Sequence, residues 1–224
     1  MQTQADSKIG AIAAIAGSVL LIVGTYLHPM SADPNLPLAA FAEYASSSSW
    51  VAVHLMQLFG AMLMAASFVM LSRKLADGAA SAWATLGAAS GRESGSGRCS
   101  ASCRWRCAEV HGRQLGIDTK PGKAGFFDAA FAVRQVEVGL ASISALFFGL
   151  TVSIYGIALL IDRRFPCWIG AFAIVGGVPT AVGGIAMAYT GFSNLAMDIN
   201  MPFNSMLILW MIALGVYGWR QQAF

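Results

Sequence analysis

Long, unbroken apolar runs dominate this chain, in place of the strict alternation of a half-buried strand or the narrow stripe of a soluble helix. The first is Ile9 to Leu27, IGAIAAIAGSVLLIVGTYL, which carries no charge and stops at His28 and Pro29. Trp50 to Leu71 follows and is closed by Arg73 and Lys74; Val138 to Ile161 is closed by Asp162, Arg163 and Arg164. Trp168 to Tyr189 opens on a tryptophan of the interfacial kind, and Met201 to Trp219 ends in Arg220. A helix rises about 1.5 Å per residue and a hydrocarbon core is about 30 Å thick, so about 20 residues suffice for each run to cross. Continuous runs predict helices, because barrel strands alternate between a lipid face and a lumen face. The first run exceeds a signal-peptide core, has only Lys8 beside Asp6 ahead of it and meets no small-x-small site before Pro29, so it reads as a retained span.

Composition agrees with the pattern. Hydrophobic residues make up 57% of the chain and charged residues only 11%, against about a quarter in soluble domains. The mean hydropathy is +0.63. The positions of Lys and Arg then orient the spans. Arg73, Lys74, Arg163, Arg164 and Arg220 flank one set of ends, whereas the loops His28 to Ser49 and Thr190 to Asn200 contain neither Lys nor Arg. Both termini and the basic loops are therefore expected in the cytoplasm, with the protein multi-pass in a bacterial inner membrane.

Parity exposes a gap. The chain is inside at Arg73 and inside again at Arg163, yet one clear span lies between. A further crossing is expected between Ala79 and about Val133, and AASAWATLGAAS, Ala79 to Ser90, opens one before giving way to GRESGSGRCSASCRWRC. Seven of the fourteen Lys and Arg residues fall between Gly91 and Gly125, against three of the eleven acids, so the net charge of +3 belongs entirely to this segment. Cys99, Cys103 and Cys107 with His111 have the look of a metal cluster, but structural zinc prefers paired C-x2-4-C units, and Gly95, Gly97 and several serines disfavour one helical face. A different origin explains the segment better. A cysteine codon read one base later encodes only Ala or Val, and shifted Gly and CGN Arg codons include both. Residues from about 91 to about 124 are thus expected to be a frame-shifted, disordered stretch standing where an Ala/Val-rich third span belongs.

The fold class expected is all-α, a polytopic transmembrane helix bundle of six spans, five clear and the third disrupted, forming one domain over residues 1–224. Ala13-xxx-Gly17, Ala173-xxx-Gly177 and Thr180-xxx-Gly184 are small-residue pairs suited to close helix contact in lipid. Pro179, between two Gly pairs, predicts a kink or local unwinding. No matching break occurs in the second span, and no ionisable residue lies deep in any clear span, so the break reads as packing rather than a transport site.

Polar residues collect instead at the ends expected outside. His28 ends the first span, His54 and Gln57 lie three apart and on one face of the second, and Arg134 and Glu137 open the fourth as an i, i+3 pair. Tyr189, Asn194, Asp198 and Asn200 surround the last outer loop. His28, His54, Gln57, Arg134, Glu137 and Asp198 are the candidate ligand-binding set, with interfacial anchoring as the plainer alternative. Two imidazoles raise haem, but His28 sits at a helix end, His54 about one turn into its span, and no second pair exists. No cofactor, metal or catalytic residue is therefore assigned. There is no G-x-S-x-G nucleophile motif, and Ser46 to Ser49 reads as loop and helix cap. Nucleic acid is excluded as a partner once the basic segment is set aside.

GTYLHP (Gly24 to Pro29), FAEYASSSSWVAVHLMQLFGA (Phe41 to Ala61), FAVRQVEVGLASISALFFGLTVSIYGIAL (Phe131 to Leu159) and AYTGFSNLAM (Ala188 to Met197) resemble an uncharacterised family of bacterial six-span inner-membrane proteins. The resemblance covers nearly all the chain except Gly91 to about Gly125, where the family has an ordinary third span. It implies fold and location and supplies no substrate. Two functions stay open: a membrane protein that binds or passes a small molecule or lipid at an outer pocket, or a membrane enzyme or redox subunit using the same His, Glu and Asp residues, the first being preferred.

Overall fold

The computed structural model of the protein describes residues 2–76, 78, 80–94 and 123–221. Every regular element among them is an α-helix: α1 Gln2–Tyr26, α2 Pro37–Ser46, α3 Trp50–Lys74, α4 Ser81–Ser94, α5 Lys123–Ile161, α6 Cys167–Thr190 and α7 Asn194–Arg220. Five contain stretches long and apolar enough to cross a membrane: Ser7–Tyr26, Trp50–Lys74, Phe127–Ile161, Cys167–Thr190 and Asn194–Arg220. They are the five runs visible in the sequence, and they fit a multi-pass membrane protein. The frame-shift expectation falls on residues that lie almost wholly outside those described.

The helices form a ring in the order α1, α3, α4, α5, α6, α7 and back to α1. Neighbours run antiparallel: Gly10 of α1 meets Met70 of α3 while Gly24 meets Val53 and Gln57, and Gly87 of α4 meets Tyr155 of α5 while Ser90 hydrogen-bonds Thr151 at 2.9 Å. α4, where the sequence reading expected a further crossing to open, packs between α3 and α5; its 14 described residues reach about 21 Å, and it is not among the five helices long and apolar enough to cross a membrane.

Close approach is made by glycine at a period of seven. Gly149 and Gly156 of α5 face Gly177 and Gly170 of α6, and Gly184 faces Ser142 and Leu146. A Cβ on Gly149 would lie 2.4 Å from the Ala181 nitrogen, and one on Gly177 would lie 2.7 Å from the Gly149 carbonyl. Gly10, Gly17 and Gly24 repeat the device on α1, with Gly17 against Gly60. Of the small pairs, Gly17, Ala173 and Gly177 supply contact residues, but the seams repeat over seven residues rather than four, the spacing of left-handed helix packing. Thr180 bonds the Gly176 carbonyl of its own helix at 2.8 Å.

The ring has a filled centre. Phe68 of α3 stacks on Tyr155 of α5 at 5.0 Å and on Trp210 of α7 at 6.1 Å, among Met64, Val152, Leu207 and Met211. Both polar atoms of the stack reach backbone: the Tyr155 hydroxyl donates to the Phe68 carbonyl at 3.1 Å and Trp210 Nε1 to the Ile169 carbonyl at 2.8 Å. Satisfied this way, they cost little where both residues are fully buried.

Several boundaries differ from the sequence reading. The loop after His28 contains α2, opened by Pro37 in its first turn and held by Ala40, Phe41 and Tyr44 against Trp50 and Ala130. α5 begins well before Val138, and its early turns cover α2 through Phe127, Ala130 and Val133. Arg134 and Glu137 therefore lie inside a helix rather than at its opening. The loop expected over Thr190 to Asn200 shrinks to residues 191–193, because Ser193 Oγ caps α7 by accepting from Ala196 N at 3.3 Å, and α7 passes through Pro202. Ser49 stands at the N-cap of α3 with αR backbone and no side-chain cap bond; its hydroxyl lies 3.3 Å from Ser47 Oγ. α6 runs helically through Pro179, so the expected unwinding is not found. The freed Val175 carbonyl belongs to an exposed residue on that helix's outer surface.

At the other end, the turn between α5 and α6 clasps three helices. Asp162 accepts from the Arg164 amide at 2.9 Å and from Arg164 Nη2 at 2.6 Å, while Nη2 also donates to the Lys74 carbonyl at 2.9 Å. The Arg164 hydrogen bond, the leading cause, holds the Asp162 carboxyl below its ordinary 3.8. A depressed carboxylate stabilises the fold above the unfolded-chain value and loses that contribution as pH falls through the folded value. The melting temperature of Asp162→Asn in detergent is expected to lie below wild type at neutral pH, and the gap to close as pH drops below about 4.

Candidate functional site

The polar residues at the opposite end come from α1, α2, α3 and α5. α1 stops where Pro29 denies it a donor, leaving His28 just past the last turn, its amide on the Thr25 carbonyl at 3.3 Å. His54, one turn into α3 and buried, places Nδ1 2.7 Å from the Trp50 carbonyl. A carbonyl can only accept, so Nδ1 carries the proton and Nε2 presents its lone pair. His28 Nε2 lies 3.2 Å from that atom, with the rings edge to face at 4.8 Å. Two residues 26 positions apart are thereby joined.

Trp50 links this pair to the rest. Its ring lies 4.2 Å from His54 and 5.1 Å from His28, and it stacks on Tyr44 at 4.0 Å. Arg134 faces the Tyr44 ring at 5.6 Å and the Phe192 ring at 4.9 Å, and donates to the Pro34 carbonyl at 3.2 Å. Its Nη1 pairs with Glu137 at 2.7 Å, both residues being buried. The i, i+3 spacing read from the sequence thus brings two charges together one turn apart on α5.

The loop above is tied down twice. Glu43 of α2 accepts from the Ser31 and Ala32 amides at 2.8 and 3.1 Å. Asn35 Nδ2 donates to the Phe192 carbonyl at 2.8 Å, next to Gly191, whose φ of +64° and extended ψ suit glycine alone. These anchors set where His28 and the Pro34 carbonyl sit.

Of the six predicted residues, His28 joins His54, and Arg134 joins Glu137. Gln57 is half-buried and backs onto Gly24, where an added Cβ would lie 2.8 Å from Gln57 Cγ. Asp198 is exposed on the second turn of α7 and touches none of the other five in any described contact. Asn200, two residues on, is buried against Gly183 with its Oδ1 unanswered. Sequence reasoning missed Tyr44, Trp50 and Glu43. The signal available was Pro37 followed by apolar residues at 40, 41 and 44, a short helix with one buried face.

Within this set the Trp50 indole N–H is a buried donor that finds no hydrogen-bond acceptor among the described residues. Trp50 is 3% exposed. A buried unanswered donor costs about 1–3 kcal/mol. Comparison with family models, with curated proteins and with solved structures gives no match for this chain.

Proposed function

We propose that this is a bacterial inner-membrane protein with both termini cytoplasmic, which binds a small molecule or lipid headgroup at its outer end and does not turn it over. The observation that carries the reading is the unanswered Trp50 Nε1 inside a polar set of His28, His54, Tyr44, Arg134 and Glu137, at the end of the bundle opposite the Asp162–Arg164 clasp. Such a donor suits a ligand bearing an acceptor oxygen. The centre of the ring, closed by Phe68, Tyr155 and Trp210, supports receiving a ligand over passing one. Clustering of Arg73, Lys74, Arg163, Arg164 and Arg220 at the far end supports the orientation.

The test uses the full chain purified in nanodiscs from native membranes. Native mass spectrometry is expected to show a retained molecule on the wild type and at least a tenfold lower occupancy on a folded Trp50→Phe, the loss of one buried hydrogen bond being about 1.5 kcal/mol. Equal occupancy in both would sink the site. In the same cells, a cysteine placed at Asp33 is expected to react with an impermeant maleimide added outside, and protection there would reverse the orientation.

A further inference from the structure

We propose that His28 and His54 form a two-histidine site for a borderline divalent transition-metal ion, zinc(II) being the type case. This deepens the binding reading above and rests on it, because the metal would sit within the same polar set.

The distance is the first argument. Two imidazole nitrogens on one zinc ion, each about 2.0–2.1 Å from the metal at a tetrahedral angle, stand about 3.3–3.4 Å apart. The two Nε2 atoms are already 3.2 Å apart, so the nitrogens need hardly separate, and each lone pair would point about 35° off the line between them to meet at the ion. Haem does not fit the same pair, since axial imidazoles occupy opposite faces of a macrocycle and nothing that size enters an edge-on contact.

The second argument is the support behind the ligand. A metal-bound histidine typically donates its other ring nitrogen to a carbonyl or carboxylate, which fixes the tautomer and aims the lone pair. His54 has that bond, Nδ1 to the Trp50 carbonyl at 2.7 Å, inside a buried turn of α3. His28 is only half-buried, on a loop end held by Glu43 through Ser31 and Ala32.

In the metal-free pair, His28 Nε2–H donates to the His54 lone pair. When the ion binds, His28 carries its proton on Nδ1 instead, both Nε2 lone pairs go to the metal, and no net proton leaves a neutral pair. Among the described residues no third His, Cys, Asp or Glu completes a cluster. An acceptor oxygen of the bound molecule would then be a further ligand to the ion.

The test is cobalt(II) titration of the chelator-stripped full chain in nanodiscs, read by visible absorption and by zinc competition. Cysteine-rich residues elsewhere could bind metal themselves, so the reference protein carries Cys99→Ser, Cys103→Ser, Cys107→Ser and His111→Ala. That reference is expected to bind one equivalent. His28→Gln, which keeps a donor for His54 and hence the plain hydrogen bond, is expected to weaken binding more than about a hundredfold, since losing even a supporting partner costs about 10–100-fold. His54→Gln should do the same, with folding of both variants checked by circular dichroism. No binding by the reference, or unchanged affinity in folded His28→Gln, overturns the metal site. If occupancy by the retained molecule still depends on Trp50 in that case, the binding reading stands without the metal; if that dependence is missing too, both fall.

Discussion

Arg134→Met is expected to destabilise the protein by about 3–5 kcal/mol, the largest loss from any single side chain at this end of the bundle. Removing one member of a buried ion pair leaves the other without compensation. Glu137 is 1% exposed and pairs with Arg134 at 2.7 Å. The same substitution removes the hydrogen bond to the Pro34 carbonyl and the cation facing Tyr44 and Phe192, so the loop and the α6–α7 turn lose their shared anchor. The double variant Arg134→Met/Glu137→Leu should recover much of the loss, because an apolar pair of similar volume needs no desolvation of charge. Unfolding in nanodiscs, followed for the two single variants and the double, yields the coupling directly. A single-variant cost under about 1 kcal/mol would place the pair in water and contradict its burial.

Gly149→Leu should be as damaging, for a steric reason. The new Cβ would stand 2.4 Å from the Ala181 nitrogen and 2.5 Å from the Gly177 carbonyl, and both are backbone atoms of α6 that no rotamer change can clear. Overpacking costs about 1–3 kcal/mol where side chains can yield, and here the helices themselves must part, so a loss above about 3 kcal/mol and poor accumulation in the membrane are expected. Gly139→Leu is the control. It lies on the same helix, ten residues earlier, with nothing within 4 Å of its Cβ position, and should stay within about 1 kcal/mol of wild type. Equal effects at both positions would mean that the α5–α6 seam is not set by glycine.

The spans were legible because lipid imposes a length and a polarity on any helix that crosses it. Trp50–Lys74 and Cys167–Thr190 differ from the apolar runs by three residues or fewer at each end. Where polar or helix-breaking residues belong to a helix, legibility failed. Asn194 to Asn200 carries Asn194, Asp198 and Asn200 and precedes Pro202, yet it is helical, since Ser193 caps it and Ala196 and Asn200 are buried. α2 has ten residues and could not be stable alone; it persists because Phe41 and Tyr44 pack on Phe127 and Trp50.

The site divides along the same line. Arg134 and Glu137 could be paired on paper, because an i, i+3 spacing on a helix is a local fact. His28 and His54 could not. Their contact depends on the register of α1 against α3, which Gly10, Gly17 and Gly24 set by admitting Met70, Gly60 and Gln57 to van der Waals range. Asp198 shows the converse, a residue placed at the right end by hydropathy and turned outward by the helix that carries it.

By itself, then, the sequence determined an all-helical membrane chain, the positions of five spans and the end at which polar residues gather, because hydrophobic length and local spacing act within one segment. Tertiary structure alone decided the closed ring, the aromatic centre, the cover that α2 and early α5 form together, and the meeting of His28, His54 and Trp50. Those depend on contacts between segments far apart in the chain, where a seven-residue glycine period sets the register and a shift of one turn would separate every partner.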